Sequence, residues 1–296
     1  MFGTSNDEHD YGQGKVFASG SLAEAFAALR LPDFAYPEAD DEVLYSYRRL
    51  DDGDLYFVDN RQQRAQEIAA TFRVAGYAPK IWGPVSGETK PATFRTEDGR
   101  TTVPLALAPN GTAFVVFRKK TQASSRALHS SAVTTLQILK GPWTVAFQPH
   151  RGAPTRMTVR KLQSWSDSTV DGVKYFSGTG TYTKAFELPA LNRKRHLILD
   201  LGQVWELARV TLNGKPLGIV WTEPFRFDIS KAARTGRNLL KIEVTNLWVN
   251  RLIGDAQAGA RVKYIFTTIP TYLPDVSLRE SGLLGPVQIL QAATGD

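Results

Sequence analysis

The sequence predicts an all-β protein of two antiparallel β-sandwich domains with one short N-terminal helix. Segments that alternate apolar and polar residues recur about every 8–12 residues, with turn signals such as Asn-Gly and Gly-Pro between them. The length of 296 residues suits two domains. The composition, 42% hydrophobic and 22% charged with no Cys, excludes a disordered chain, a collagen and a disulfide scaffold.

Residues 1–35 are expected to form a tail and the helix. The first ten residues are polar and acidic, where a signal peptide needs a basic and then an apolar stretch, so none is predicted. The compartment stays unknown. Residues 15–18 predict a short strand. Ser21 and Glu24 then have the spacing of a capping box, which predicts a helix that ends before Pro32.

Residues 36–118 are expected to form the first sandwich. Its predicted strands are residues 43–50, 55–60, 66–73, 79–82, 92–95, 101–107 and 113–117. The segment 119–135 is predicted to be a linker, because its first part has no apolar period and is rich in Ser and Lys.

Residues 136–296 are expected to form the second sandwich. Its predicted strands are residues 136–139, 143–147, 157–159, 180–186, 196–201, 207–213, 225–229, 239–245, 262–267 and 286–290. This number of strands suits a jelly roll.

The charge pattern bears on the partners of the protein. The net charge of +7 divides into −3 over residues 1–120 and +10 over residues 121–296. The positive residues of the second part are spread singly, and the densest cluster, Arg193-Lys194-Arg195, is interpreted as a solvated turn. We therefore predict no nucleic-acid partner. No apolar stretch approaches about 18 residues, so no membrane partner is predicted either.

The order of motifs in the second part carries a family resemblance. The strand at residues 207–213 enters an Asn213-Gly214 hairpin turn, and residues 224–229 (PFRFDI) and 236–246 (GRNLLKIEVTN) follow. This order resembles the galactose-binding-like jelly roll of the glycoside hydrolase family 2 sugar-binding domain.

Three further motifs narrow the resemblance. Residues 173–189 (VKYFSGTGTYTKAFELP), 246–255 (NLWVNRLIGD) and 281–287 (SGLLGPV) resemble the C-terminal region of the family 106 α-L-rhamnosidases. The resemblance is specific over residues 136–292 and weaker over 40–118. It implies that residues 1–35 are the end of a catalytic portion. It also implies a catalytic barrel upstream, because this chain shows no βα repeats that could form one. Enzymes of the family it resembles are often exported.

Six residues of the second part are predicted to bind a sugar: Trp205, Trp221, Trp248, Asn250, Arg251 and Asp255. Aromatic faces stack on pyranose C–H groups, while amides and charged groups bind hydroxyls. Similarity to family 2 places Trp205 and Asp255 where that family has an Asn and an Asp near the sugar, so Trp205 departs from the pattern. Trp143, inside an alternating strand, is predicted to be a core residue.

Three hypotheses for function remain open. The first is a non-catalytic carbohydrate-binding and support portion of an α-L-rhamnosidase-like enzyme, with a catalytic barrel domain or fragment as partner. The second is a stand-alone glycosidase that uses the loop carboxylates Glu206, Glu223 and Asp255. The third is a purely structural pair of sandwiches. No cofactor is predicted, although a structural Ca²⁺ would fit this fold type.

Overall fold

The computed structural model describes residues 8–12, 14–17, 32–37, 42–128, 132–192, 195–269 and 271–293. These residues form antiparallel sheets, which confirms the all-β class. The helical elements among them are a 3₁₀ turn at Trp165–Asp167, helix α1 (Asp171–Lys174) and helix α2 (Val249–Ala256). None of these helices has the length and apolar character needed to cross a membrane. The chain divides into two compact units, Met1–Leu128 and His129–Asp296.

The first unit contains two five-stranded antiparallel sheets and a small hairpin. Its strands are β1 (Glu8–Tyr11), β2 (Gly14–Phe17), β3 (Phe34–Ala35), β4 (Val43–Leu50), β5 (Gly53–Asn60), β6 (Gln66–Phe72), β7 (Tyr77–Trp82), β8 (Thr89–Pro91), β9 (Phe94–Glu97), β10 (Arg100–Leu107), β11 (Thr112–Lys120) and β12 (Ser125–Arg126). One sheet has the order β12-β9-β10-β6-β3, the other has the order β4-β5-β11-β7-β8, and β1 pairs with β2.

The sheets of the first unit form because their strands alternate as a half-buried strand must. On β10, for example, Val103, Leu105 and Leu107 are buried while Pro104 and Ala106 face outward. The inward side chains of both sheets, Tyr56 and Phe72 among them, form one hydrophobic cluster.

The predicted N-terminal helix and the predicted linker lie near the two ends of this unit. The helix predicted from Ser21 lies outside the described residues. The division of the chain at residues 119–135 stays a prediction. Within that segment, β11 continues to Lys120, β12 pairs with β9, and β13 of the second unit begins at Val133.

The second unit contains a six-stranded, a four-stranded and a two-stranded antiparallel sheet. Its strands are β13 (Val133–Ile138), β14 (Trp143–Phe147), β15 (Arg156–Val159), β16 (Thr179–Leu188), β17 (Arg195–Asp200), β18 (Gln203–Trp205), β19 (Leu207–Leu212), β20 (Lys215–Val220), β21 (Arg226–Asp228), β22 (Gly236–Thr245), β23 (Gly282–Gly285) and β24 (Gln288–Ala293). The orders are β15-β14-β16-β22-β19-β20, β13-β24-β17-β21 and β18-β23.

An aromatic cluster fills the core of the second unit. Trp143 is 1% exposed, which confirms its predicted core position. The Trp165 ring stacks on Tyr182 at a centroid distance of 6.3 Å, and its Nε1 donates to the Tyr182 hydroxyl at 2.6 Å. Burial raises the pKa of Tyr182 to about 12. The cluster therefore fixes the position of Trp165 in the core.

The Asn213-Gly214 motif makes the predicted hairpin between β19 and β20. Both residues have positive φ, at 53° and 79°, as this tight turn requires. The Asn213 side chain donates to the Asn238 Oδ1 at 2.8 Å, and Asn238 is fully buried. The Gly-x-Asn motif at 236–238 therefore anchors the hairpin internally, since a buried amide needs such partners.

One predicted strand is wrong. Residues 262–267 form no strand but part of a loop after α2. Their apolar alternation resembles a half-buried strand, yet the alternate residues Val262, Tyr264 and Phe266 are all exposed. The backbone N–H groups of Tyr264 and Ile265 donate to the Asp255 carboxylate, so they pair with a side chain instead of a neighbouring strand.

Candidate functional site

Three exposed tryptophans lie at one end of the six-stranded sheet. Trp205 precedes β19, Trp221 follows β20 and Trp248 follows β22. The register joins Leu207 to Thr245, and Ala208 to Val220. The start of β19 therefore lies beside the ends of β20 and β22. We call the three tryptophans, with Glu206 and Glu223, the tryptophan rim.

Trp205 and Glu206 occupy the junction of β18 and β19. Trp205 pairs with Gly282 of β23, and the Glu206 N–H donates to the Thr245 carbonyl at 3.0 Å. The backbone is thus fixed on both sides. The Trp205 side chain nevertheless remains 37% exposed.

The other rim residues are more open. Trp221 is 60% exposed and Trp248 is 63% exposed, far above the 1% of Trp143 in the core. Glu223 is exposed and Glu206 is half-buried. Among the described residues, neither carboxylate has an ion pair or a hydrogen bond, so the oxygens of both can accept hydrogen bonds from a ligand.

Three predicted site residues are buried, unlike the tryptophans of this rim. Asn250, Arg251 and Asp255 lie on α2, and all three are buried. The Arg251 Nε lies 2.9 Å from the Asp255 Oδ1 in an ion pair, one helical turn apart. Asn250 donates to the Arg279 carbonyl and accepts from the Arg279 N–H, at 2.7 and 2.8 Å.

The Asp255 carboxylate also holds the loop that follows α2. Its Oδ2 accepts the N–H groups of Tyr264 and Ile265 at 2.8 and 2.9 Å. The Arg251 guanidinium lies over the rings of Tyr175 and Tyr264, 5.8 and 5.0 Å from their centroids. Both Asp255 oxygens are thus engaged internally, Oδ1 by the ion pair alone and Oδ2 by two hydrogen bonds. The geometry thus gives these side chains a positioning role.

Gly254 shows how tightly this cluster packs. A Cβ at this position would lie 2.5 Å from the Arg251 Nη2 and 2.6 Å from the Tyr175 Cβ. Real side chains do not approach so closely, and the helix therefore needs glycine here although alanine favours helices. We call Asn250, Arg251 and Asp255 the α2 anchor.

Sequence reasoning missed the apolar side chains exposed by the loop after α2. Phe266 is 85% exposed and Ile269 is 73% exposed, among the most exposed large apolar residues described. The signal was present in the uncharged stretch 264–274, which overlaps the strand predicted at 262–267.

The arrangement suits contact with a sugar better than metal chemistry. In the described part of the chain, no three His, Asp or Glu side chains are grouped as metal ligands would be. A structural Ca²⁺ held by backbone carbonyls stays a prediction. The rim offers aromatic faces and carboxylate oxygens on an open surface, the groups that bind C–H faces and hydroxyls.

Comparison with known proteins identifies relatives of both units. The family model for alpha-L-rhamnosidase, glycoside hydrolase family 106, matches residues 1–96. The rhamnosidase from Novosphingobium sp. PP1Y has a similar structure, with a TM-score of 0.89 and 41% identity. That match covers 96% of this chain and 27% of the rhamnosidase chain. The family model thus matches the region where the motif resemblance was weaker.

Two further matches carry the word glucuronidase in their names. A putative beta-glucuronidase of Formosa agariphila is 38% identical over 177 residues, which cover 51% of this chain and 15% of that protein. A β-D-glucuronidase of Dictyoglomus thermophilum aligns with a TM-score of 0.40 and 20% identity, over 57% of this chain and 29% of its own. This chain therefore spans less than a third of the rhamnosidase chain and of the Formosa agariphila protein.

Proposed function

We propose that this chain, which is similar to the family 106 α-L-rhamnosidases, is the non-catalytic carbohydrate-binding and support portion of such a glycoside hydrolase. The relationship to glycoside hydrolases is established by the family model and by the rhamnosidase structure. The observation that carries the proposal is the coverage. The match includes 96% of this chain but 27% of the rhamnosidase chain, so most of that enzyme lies outside the matched region.

The described residues supply no obvious catalytic framework. Their sheets are antiparallel, whereas a catalytic barrel of the (β/α)₈ type needs parallel strands joined by helices. The second hypothesis, a stand-alone glycosidase, depended on Glu206, Glu223 and Asp255. Asp255 is buried in an ion pair with Arg251, which disfavours it as an acid or nucleophile for a bulky sugar.

The tryptophan rim supports carbohydrate binding. Trp221 and Trp248 are mostly exposed at the same end of the sheet. In the part of the chain that the structure describes, the rim carboxylates of Glu206 and Glu223 have no ion pair or hydrogen bond. Exposed aromatic side chains are costly in water, and a sugar face offers them a matching apolar surface. In the proposed role, the rim contacts the glycan beside the catalytic pocket of the complete enzyme.

Replacing Trp248 with alanine is expected to weaken binding of an aryl α-L-rhamnoside by about 2- to 10-fold, because one stacking contact is lost. Because Trp248 is 63% exposed, the unfolding free energy should change by less than about 0.5 kcal/mol. Titration followed by NMR chemical shifts measures the first quantity, and chemical denaturation measures the second.

Ile219→Ala is the matched control, since Ile219 is 48% exposed on β20 of the same unit but belongs outside the rim. Its affinity should equal that of the parent chain. No saturable shift with rhamnosides or oligosaccharides would contradict the binding role and favour the purely structural hypothesis. Equal losses of affinity in Trp248→Ala and Ile219→Ala would contradict the assignment of the sugar site to the tryptophan rim.

A further inference from the structure

The loop after α2 exposes an unusual set of apolar side chains. We define the outer loop as residues 257–281, which join α2 to β23 and are described except at position 270. Six of its apolar or aromatic side chains are strongly exposed: Phe266 85%, Ile269 73%, Leu273 60%, Val262 57%, Val276 42% and Tyr264 37%. Single exposed apolar residues are ordinary, but such a group in one loop indicates an interaction surface.

The backbone of the outer loop is anchored at three places. Asp255 accepts the N–H groups of Tyr264 and Ile265. Gln257 donates to the Pro274 carbonyl at 2.8 Å, and Asn250 pairs with Arg279. The loop backbone is therefore held at these places, while Phe266, Ile269 and Leu273 stay mostly exposed. A preorganised surface loses less conformational entropy when it binds.

The charge pattern indicates a protein partner. Residues 264–274 contain no Asp, Glu, Lys or Arg, while Arg261, Lys263 and Asp275 flank them. An uncharged apolar centre with a charged rim is the composition of a protein interface. A polyanion or an anionic lipid surface would favour cations at the centre.

The outer loop lies at the same end of the unit as the tryptophan rim. Its last residue, Ser281, precedes Gly282, which pairs with Trp205. At its other end, the loop follows the C-terminal end of α2, the helix whose N-terminal end follows Trp248. The two ends of the loop are therefore linked to the rim through β23 and α2.

Resting on the proposed function, we propose that the outer loop is the surface on which the rest of the enzyme docks, with Phe266 and Ile269 at its centre. The occupant is the part of a family 106-like enzyme that this chain does not cover, which is the larger part of the rhamnosidase relative. A catalytic portion of that size supplies a surface large enough to bury the loop. A second copy of this chain is the alternative occupant.

The absence of Cys from the sequence allows a direct test. Phe266→Cys is made in this chain alone, and in a hybrid in which this chain replaces its matched region in the full rhamnosidase relative. A maleimide reagent labels both proteins, and mass spectrometry follows the rate at position 266. We expect labelling to be roughly tenfold slower or more in the hybrid, because an interface core excludes reagent.

Ile219→Cys is the matched control and should be labelled at equal rates in the two proteins, since Ile219 lies on β20 and outside the loop. Equal labelling at position 266 in a hybrid that hydrolyses an aryl rhamnoside would overturn the docking surface and leave the proposed function intact. A hybrid that fails to hydrolyse the rhamnoside, while the relative succeeds, would contradict the proposed function itself. Protection at position 266 that rises with the concentration of the isolated chain would assign the loop to a second copy and overturn the proposed occupant.

Discussion

Replacing Asp255 with alanine is expected to lower the unfolding free energy of the second unit by about 3–5 kcal/mol, because it leaves Arg251 as a buried charge without its partner. The two side chains are 7% and 6% exposed, and Oδ1 and Nε lie 2.9 Å apart, so bulk solvent screens the remaining charge poorly. The N–H groups of Tyr264 and Ile265 lose their acceptor as well.

Chemical denaturation followed by tryptophan fluorescence measures this loss, since five of the six tryptophans belong to the second unit. Hydrogen exchange at Tyr264 and Ile265 measures the release of the outer loop and should become faster. The matched control is the double variant Arg251→Met with Asp255→Asn, which removes both charges and keeps a side-chain acceptor. It should lose less than half as much stability, because no unpaired charge remains.

The α2 anchor account would be contradicted by an Asp255→Ala variant within about 1 kcal/mol of the parent and with unchanged exchange at both amides. That result would mean that Asp255 does not hold the outer loop.

Replacing Trp165 with alanine is expected to destabilise the second unit by about 3–5 kcal/mol, near the upper end for a large aromatic side chain. The ring packs edge-on against Phe147 and Phe176 and stacks on Tyr182. A cavity of about 50 Å³ already adjoins it, so its removal would enlarge an existing void instead of allowing the core to close.

The effect of Trp165→Ala should extend to the rim. A Cβ at Gly282 would lie 2.6 Å from the Trp165 ring, so the ring lies directly under the strand that pairs with Trp205. The matched control for the loss of unfolding free energy is Trp221→Ala, which removes an equally large but 60% exposed ring. The control should stay within about 0.5 kcal/mol of the parent. Equal losses in both variants would refute the distinction between core and rim.

Much of the fold was predictable because its signals are local. Strand β16 alternates buried and half-exposed residues along its first half. The Asn213-Gly214 pair supplies the two positive φ angles of the turn between β19 and β20. These features depend on residues adjacent in the chain. The strand predicted at 262–267 failed because its partner was a carboxylate on α2, and the sequence does not show which distant group pairs with a backbone.

Helix α2 was missed because it is short and buries polar residues. Apolar residues at 249, 252, 253 and 256 do have helical spacing, but the segment has only eight residues. Asn250, Arg251 and Asp255 are buried in the same helix, and as polar residues they indicated a binding loop instead. Trp248 at the N-cap also gives no capping signal. Read as loop residues, the three polar side chains looked like sugar ligands. Only the helical spacing shows that Arg251 and Asp255 face each other.

The most direct test of the proposed function is one sample in which binding and turnover are measured together. The purified chain is titrated with an aryl α-L-rhamnoside by NMR, and release of the aryl group is followed in the same tube. We predict a saturable shift that weakens in Trp248→Ala, and no release above the buffer rate at high protein concentration. Release that depends on this chain and disappears in Glu206→Gln or Glu223→Gln would contradict the non-catalytic role.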